Sequence, residues 1–565
     1  MSPPCRFHYS GAAAALCVLA LSAHGQQLPD AGALRQQLEQ QRVPVLPEKG
    51  VREVVPPAMT KLSGSTDRVA VKGFEFKGNQ LLSSEQLAAA VSSYAGRALN
   101  FDELQAAAAA AASAYRVQGW VVRVFLPEQD VTEGRIQLQV VEARFGTVRS
   151  ETPVQRVGEG VAKAFVDAVQ RAGAPVNGTA LDRALLLIDD LPGVSVTGRL
   201  SEGRNDRETD LLLQLKDGPL FNGSVAADNA GSRSTGRERL VLTADINSPL
   251  RFGDQISAVL LKSRGSEFAR AAYAAPLGSA GWRLALNLST LRYRVITPEF
   301  AVLDANGRSD STGAELSYPL LRTRTENLFL NLGFEDKRFD NRSAGTVSTR
   351  YGSRAFALTA AYNGFDEFMG GGGTAAQLGA VQGKLDLTGS PNEAADAAST
   401  RTAGQFGKLR YAVSRQQQLG ERFSAYASLS GQLANKNLDS SERFYLGGAS
   451  GLRAYPASEA GGSSGQLFTA ELRARLPQNL AASLFYDRGR VKLNENNDIL
   501  GALARNGWSL SGVGASLAWT APFGLVTRLT VARRLGSNPN ATASGLDQDG
   551  TLNKTRVWVQ ATLPF

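Results

Sequence analysis

Phe468-Thr-Ala-Glu-Leu-Arg-Ala-Arg-Leu476 changes character at every step. Phe468, Ala470, Leu472, Ala474 and Leu476 share one face, and Thr469, Glu471, Arg473 and Arg475 share the other. A period of two is the mark of a β-strand. One face is wholly apolar and the other mostly charged, which suits a wall between hydrocarbon and a wet lumen. The pattern recurs: Leu240, Leu242, Ala244 and Ile246 oppose Arg239, Thr243 and Asp245. Trp282, Leu284, Leu286 and Leu288 oppose Arg283, Asn287 and Ser289. Val557, Val559, Ala561, Leu563 and Phe565 oppose Arg556, Gln560 and Thr562. About sixteen such segments fill residues 217–565, each near ten residues, the length a tilted strand needs to cross a bilayer. In lipid every backbone group must be paired, so such a sheet must close on itself. The expectation is a transmembrane β-barrel of about sixteen antiparallel strands.

The connections support this. Pro249, Pro276, Pro319, Pro477, Pro522 and Pro564 mark the same end of alternate strands, at tight turns. Long polar loops, such as 388–402 and 536–554, alternate with them. Short turns on one side and long loops on the other are a barrel asymmetry. A soluble β-sandwich would also alternate in hydrophobicity, but seldom with so regular a change of loop length.

The start of the chain reads as a secretory signal peptide over residues 1–25. Arg6 supplies a positive charge, 11–23 is apolar, and Ala23 and Gly25 precede a cleavage point before Gln26. That stretch is too short to span a bilayer as a helix. Cys5, Cys17, His8 and His24 are the only cysteines and histidines, and all lie within it. The remainder therefore offers no disulfide, no thiolate, no Cys/His metal site and no His-based triad. No Gly-x-x-x-x-Gly-Lys nucleotide loop is present either. The sequence points to no cofactor, no metal and no enzyme activity. Net charge is +9 over 565 residues, without a basic cluster interleaved with aromatics, so nucleic acid is not expected as a partner.

Five segments are expected ahead of the barrel. After the signal, 26–42 is helical, with Leu28, Leu34 and Leu38 among glutamines, and 43–68 is a Pro-rich linker with Pro44, Pro47, Pro56 and Pro57. Residues 69–144 read as strand, helix, helix, strand, strand: 69–76, 83–94, 101–118, 121–126 and 134–141. Residues 145–216 repeat that order loosely, with helices at 160–172 and 179–190 and strands at 194–200 and 209–214. The two units share pattern and size rather than identity.

Two motifs sit late in the barrel. The longest outer connection, 434–465, contains Phe444-Tyr-Leu-Gly-Gly-Ala-Ser-Gly-Leu-Arg-Ala-Tyr-Pro456, and Leu484-Phe-Tyr-Asp-Arg-Gly-Arg-Val491 follows. On the latter, Leu484 and Tyr486 face one way while Ser483, Phe485 and Asp487 face the lumen. With these residues the chain resembles the two-partner secretion transporters (TpsB, of the ShlB/FhaC type). In that family the loop tip reads Val-Arg-Gly-Tyr and a barrel strand carries Phe-x-Asp-x-Gly. Here the matching residues are Leu452, Arg453, Ala454 and Tyr455, and Phe485, Asp487 and Gly489. Ala454 stands where the family has glycine, and would be strained if that position needed a positive φ.

The resemblance covers nearly the whole chain after the signal. It implies two periplasmic POTRA domains, 69–144 and 145–216, and an outer-membrane barrel, 217–565, with residues 26–42 as a plug helix in the lumen. It also implies that the loop folds back into the barrel, where Arg453 pairs with Asp487. Phe565 is then the signal read by the barrel assembly machinery. The implied partners are outer-membrane lipid and a secreted exoprotein with an N-terminal secretion domain, of the adhesin or haemolysin class, and the implied state is monomeric. A barrel-assembly factor of the same superfamily and a diffusion porin are the alternatives. Assembly factors usually carry more POTRA units than 69–216 has room for, and a porin needs no such periplasmic module.

Overall fold

The computed structural model describes residues 28–40, 68–151, 154–205, 207–457 and 459–565. The expected signal peptide and the Pro-rich linker, apart from its last residue Arg68, lie outside the described residues.

The first periplasmic unit holds two small sheets against two helices. Asn100 starts the helix Phe101–Val117: its side chain accepts from the Glu103 amide, and Glu103 returns the bond to the Asn100 amide. Ser83 and Gln86 make the same reciprocal cap on helix Ser84–Ala90. Such caps satisfy amides that have no partner within the helix. Alanines line the inner side of the longer helix, so it packs close to the sheet, with Tyr115, Leu87 and Leu138 fully buried beside it. The sheet order is Gly73–Lys77, Arg135–Glu142, Val122–Phe125, parallel then antiparallel.

The single strand expected from Val69 is divided. Val69–Val71 pairs instead with a three-residue strand, Arg97–Leu99. The break falls at Lys72, whose amide turns to the Gly134 carbonyl at 2.7 Å. Three residues are too few to show a period, so Arg97–Leu99 was not legible in the sequence. The helix expected over 83–94 also ends early and continues as a 3₁₀ turn, Ser92–Tyr94.

The second unit repeats the topology. Its sheet runs Arg144–Ser150, Glu208–Asp217, Val194–Glu202, again parallel then antiparallel, with the last strand in the centre. Helices Glu159–Asp167 and Gly178–Asp189 cover it through Phe165, Leu181, Leu185 and Ile188. This unit is tied to the barrel's short turns. Arg322 makes a two-pronged bond to Asp190 at 2.7 and 2.8 Å, Arg324 pairs with Asp182 at 3.0 Å, and Ser248 donates to the Pro192 carbonyl.

Sixteen strands, from Phe221–Asp228 to Thr555–Pro564, form one closed antiparallel barrel. Side chains alternate as expected: on Arg283–Arg294, Leu286 and Leu288 are exposed to the outside while Leu291 is buried within. The first and last strands meet through five residue pairs, Gln560↔Asp228 to Pro564↔Ser224. Phe565 extends this seam by exchanging both backbone bonds with Gly223 at 3.0 Å. Strands Asn306–Arg322, Glu326–Ser343 and Thr346–Asp366 have 17, 18 and 21 residues. They exceed the roughly ten residues that cross a bilayer, and project beyond it.

Helix Ala31–Gln40 lies inside the barrel, with residues Ala31 to Gln36 buried. Leu34 packs with Leu291, Tyr293, Phe339 and Tyr351 of the wall.

The core of the first unit gives a direct stability test. Leu138 is fully buried on the central strand, and Leu138→Ala is expected to cost about 2–5 kcal/mol. Protease resistance of residues 69–143 should then be lost at lower urea, while the heat-modifiable gel mobility of the folded barrel stays unchanged.

Candidate functional site

Residues 435–463 connect strands Phe423–Ala434 and Ser464–Leu476, and the connection folds into the lumen. Gly447 and Gly448 take positive φ of 95° and 89°, which turns the chain back where a side chain would be strained. The returning segment carries Leu452, Arg453, Ala454 and Tyr455. Leu452 and Tyr455 are fully buried in an apolar cluster with Leu446, Phe485, Val491, Trp508 and Leu510. That cluster holds the tip in place.

Arg453 is gripped from three strands. Its Nε and Nη2 donate to the two oxygens of Asp487 at 2.9 and 2.7 Å, and its own amide donates to the same carboxylate at 3.2 Å. Nη1 donates to Glu471 at 2.7 Å. The guanidinium lies 3.4 Å from the ring centre of Phe485, and Trp558 Nε1 donates to the Arg453 carbonyl at 2.8 Å. Thr469 completes the set by donating to Asp487, which has no exposed surface. Burial pushes the Arg453 proton affinity down, but Asp487 and then Glu471 more than offset this and hold it above its ordinary value. A bidentate pair of this kind is directional as well as strong.

Two small residues make room for the tip. Gly489 faces Leu446 so closely that a Cβ there would overlap it. Ala454 does not have a positive φ, so alanine in place of the family's glycine carries no backbone strain. Its methyl group sits against Gly512 on the facing strand.

A second set of charges joins the loop to the lumen helix. Glu39 of the helix pairs with Arg35 at 2.9 Å and with wall residue Lys337 at 3.0 Å. Lys337 lies 3.9 Å from loop residue Glu442, and Glu442 pairs with wall residue Lys408 at 2.7 Å. Burial raises the Glu39 carboxyl, yet Lys337 and Arg35 outweigh it and hold it down at about 2. Arg35 also donates to Ser289 and Ser311 on the wall. Asp30 accepts from Ser440, and Gln36 and Gln40 donate to the Arg443 carbonyl.

Sequence reasoning names Leu452, Arg453, Tyr455, Asp487 and Gly489 and puts Phe485 on the lumen face, but does not bring Glu471 or Trp558 to Arg453. The lumen parity of Glu471, shared with Thr469 and Arg473, was the available signal. Lys337 and Lys408 gave the same kind of signal: each is a cation on the lumen face of its strand. Their pairing with Glu39 and Glu442 depends on distant parts of the chain meeting.

A family model for the haemolysin secretion/activation protein ShlB/FhaC/HecB matches residues 207–518, more than half of the chain. The chain belongs to this family. A ShlB-type POTRA model matches residues 69–143 of this ShlB/FhaC/HecB member. Among curated relatives, the heme/hemopexin transporter protein HuxB of Haemophilus influenzae (strain 86-028NP) is 27% identical over 547 residues, covering 92% of this chain and 94% of the relative. The outer membrane transporter CdiB of Dickeya dadantii (strain 3937) is 22% identical over 411 residues, covering 71% and 72%. Among solved structures, CdiB from Escherichia coli matches with a TM-score of 0.68 at 18% identity, over 94% of this chain and 95% of that one. BamA from Haemophilus ducreyi matches with a TM-score of 0.54 at 13% identity, over 88% and 100%. These two show the shared barrel fold. The family is one of outer-membrane transporters that work with secreted exoproteins, and this member has the outer-membrane barrel and the periplasmic POTRA region.

Two predictions follow from the geometry. Removing either partner of a buried ion pair costs about 3–5 kcal/mol because the other charge is stranded. Asp487→Ala or Arg453→Ala should therefore free the loop tip, read as faster hydrogen exchange over 446–457 in a barrel that still folds. The second concerns Glu459, which is fully buried and accepts from Asn538 and from the Gln548 amide of the last outer loop. Burial pushes its carboxyl from 4.5 up to about 8, and Asp547 and Asp549 add to this. A raised value means the docked form favours the proton. Docking is thus strongest below about 4.5 and weakens as pH rises through 8. Hydrogen exchange over 535–554, corrected for intrinsic rates, should increase across that window in the wild type and stay flat in Glu459→Gln.

Proposed function

We propose that this chain secretes one unfolded partner exoprotein, of the adhesin or haemolysin class, across the outer membrane. The observation that carries this reading is the occupied lumen. Two separate segments, helix Ala31–Gln40 and the loop over 435–463, meet inside the barrel and are fastened by ion pairs and side-chain hydrogen bonds beside their apolar packing. Polar fastenings of this sort exchange with water more readily than an apolar core does. A pore closed in this way can be emptied without unfolding its wall. A diffusion porin would gain nothing from such a closure, nor from a periplasmic module.

In this reading, the segment 26–42, which contains helix Ala31–Gln40, is a plug that leaves the lumen during transport. The two POTRA units, 69–144 and 145–216, receive the exoprotein's N-terminal secretion domain. Strand edges Arg144–Ser150 and Val194–Glu202 of the second sheet suit an unfolded client, because strand addition supplies main-chain hydrogen bonds with little demand on sequence. No nucleotide is used. Folding of the client outside removes extended chain from the equilibrium and gives direction. Arg453 and Asp487 set the loop conformation that transport needs, with Leu452, Tyr455 and Gly489 shaping its seat. The chain acts as a monomer without a cofactor, and the barrel assembly machinery inserts it through the signal that ends in Phe565.

The test is co-expression with the product of a large neighbouring gene that encodes a secretion domain, scored in the medium. Arg453→Ala and Asp487→Ala should abolish release while the barrel still inserts; wild-type release by either would sink the reading. Deleting residues 26–42 should raise conductance in planar bilayers, and no increase would remove the plug.

A further inference from the structure

Strand Leu480–Lys492 has two unlike faces. Inward, Asp487 and Gly489 hold the lumen loop. Outward, the row reads Leu484, Tyr486, Arg488, Arg490, Lys492, so apolar contact with the acyl region passes directly into three successive cations. Phe468 and Ser511 flank Arg488, and Gln466 and Ser509 flank Arg490, none of them charged. Arg533, exposed two strands away, is aligned with Tyr486 through Val513. Lys492 is paired with Glu495 at 2.6 Å. Arg488, Arg490 and Arg533 have no ion-pair partner among the described residues.

The opposite wall is built differently. There the outward row of Glu326–Ser343 also leaves the acyl region, after Phe334, but it alternates acid and base as Asp336, Arg338, Asp340 and Arg342. Asp336 pairs with Arg354 at 2.9 Å, Asp340 with Arg350 at 2.8 Å and with Arg342 at 3.2 Å. That face sets carboxylates among its cations, whereas among the described residues no acid pairs with Arg488, Arg490 or Arg533 at the edge of the hydrocarbon.

We propose that Arg488, Arg490 and Arg533 form a docking site for the phosphorylated headgroup of an outer-leaflet lipid, whose acyl chains lie over Phe468, Leu484, Tyr486 and Val513. Residues two apart on a strand are about 6.7 Å apart, and two strand spacings come to roughly 10 Å. Three guanidinium groups over that span match a headgroup with more than one phosphate, and each can bind a phosphate in two-pronged fashion. The apolar row below them is what selects a lipid over a soluble phosphate. The bound lipid braces the outside of the strand whose inside carries Asp487.

The test uses the purified full-length protein in detergent, with lipid retention read by native mass spectrometry. The probes are lipid A carrying two phosphates and the same lipid after removal of both. Wild type should hold the bisphosphorylated form at least about tenfold more tightly, and R488Q/R490Q should lose about that factor. R350Q/R354Q, whose arginines pair with Asp340 and Asp336, should bind as wild type does. Equal retention by R488Q/R490Q, or failure of the wild type to distinguish the two lipids, would overturn the proposal. So would displacement of the lipid by inorganic phosphate at the lipid's own concentration. If R488Q/R490Q fails to fold, the wild-type comparison of the two lipids still decides.

Discussion

An unpaired backbone amide in hydrocarbon costs several kcal/mol, and the design of this chain follows from that cost. Sixteen strands can pay it only by closing, so the five pairs between the first and last strands matter as much as the long ladders elsewhere. Phe565 contributes there through its backbone, which doubles the bonding to Gly223 at the end of the seam. Closure also produces the lumen. Once the outer face is committed to lipid, every polar side chain of each strand is turned inward over the bilayer's width, and the interior becomes a place where charges must find one another.

Buried charges are costly unless paired, and the lumen answers this with two matched sets. Around Arg453, two carboxylates, a ring face and the Trp558 indole nitrogen saturate one residue of the loop. Around Lys337 and Lys408, two lysines of the wall meet Glu39 of the helix and Glu442 of the loop. Helix, loop and wall share the second set, so the helix cannot leave without stranding Lys337 against fewer acids. The fastening is therefore cooperative. It is also open to exchange with water, as the proposed reopening of the pore requires.

Much of this was readable beforehand, for identifiable reasons. Alternation over Phe468 to Leu476 sets which side chains see lipid, and it needs no partner strand to be recognised. The Asn100 and Glu103 cap, by contrast, is settled by which residue ends the extended backbone. The strand Arg97–Leu99 and the break at Lys72 were missed because their bonds go to Gly134 and Val69 through Val71, across the unit. Ala454 looked like a departure from the family's glycine. Only the fold shows that its φ is ordinary and that Gly512 yields the space.

By itself, the amino-acid sequence determined the barrel, the two units before it and the residue types of the loop motif, because period, turn chemistry and local spacing are properties of neighbouring residues. Lumen parity followed from the same rule for Asp487. The tertiary structure alone decided that Glu471, Phe485 and Trp558 converge on Arg453, that Glu39 and Glu442 share Lys337, and that, among the described residues, Arg488 and Arg490 have no acid beside them while Arg350 and Arg354 do. Each of these is a contact between strands whose register is set by closure of the whole barrel, and closure is a property of all sixteen strands together.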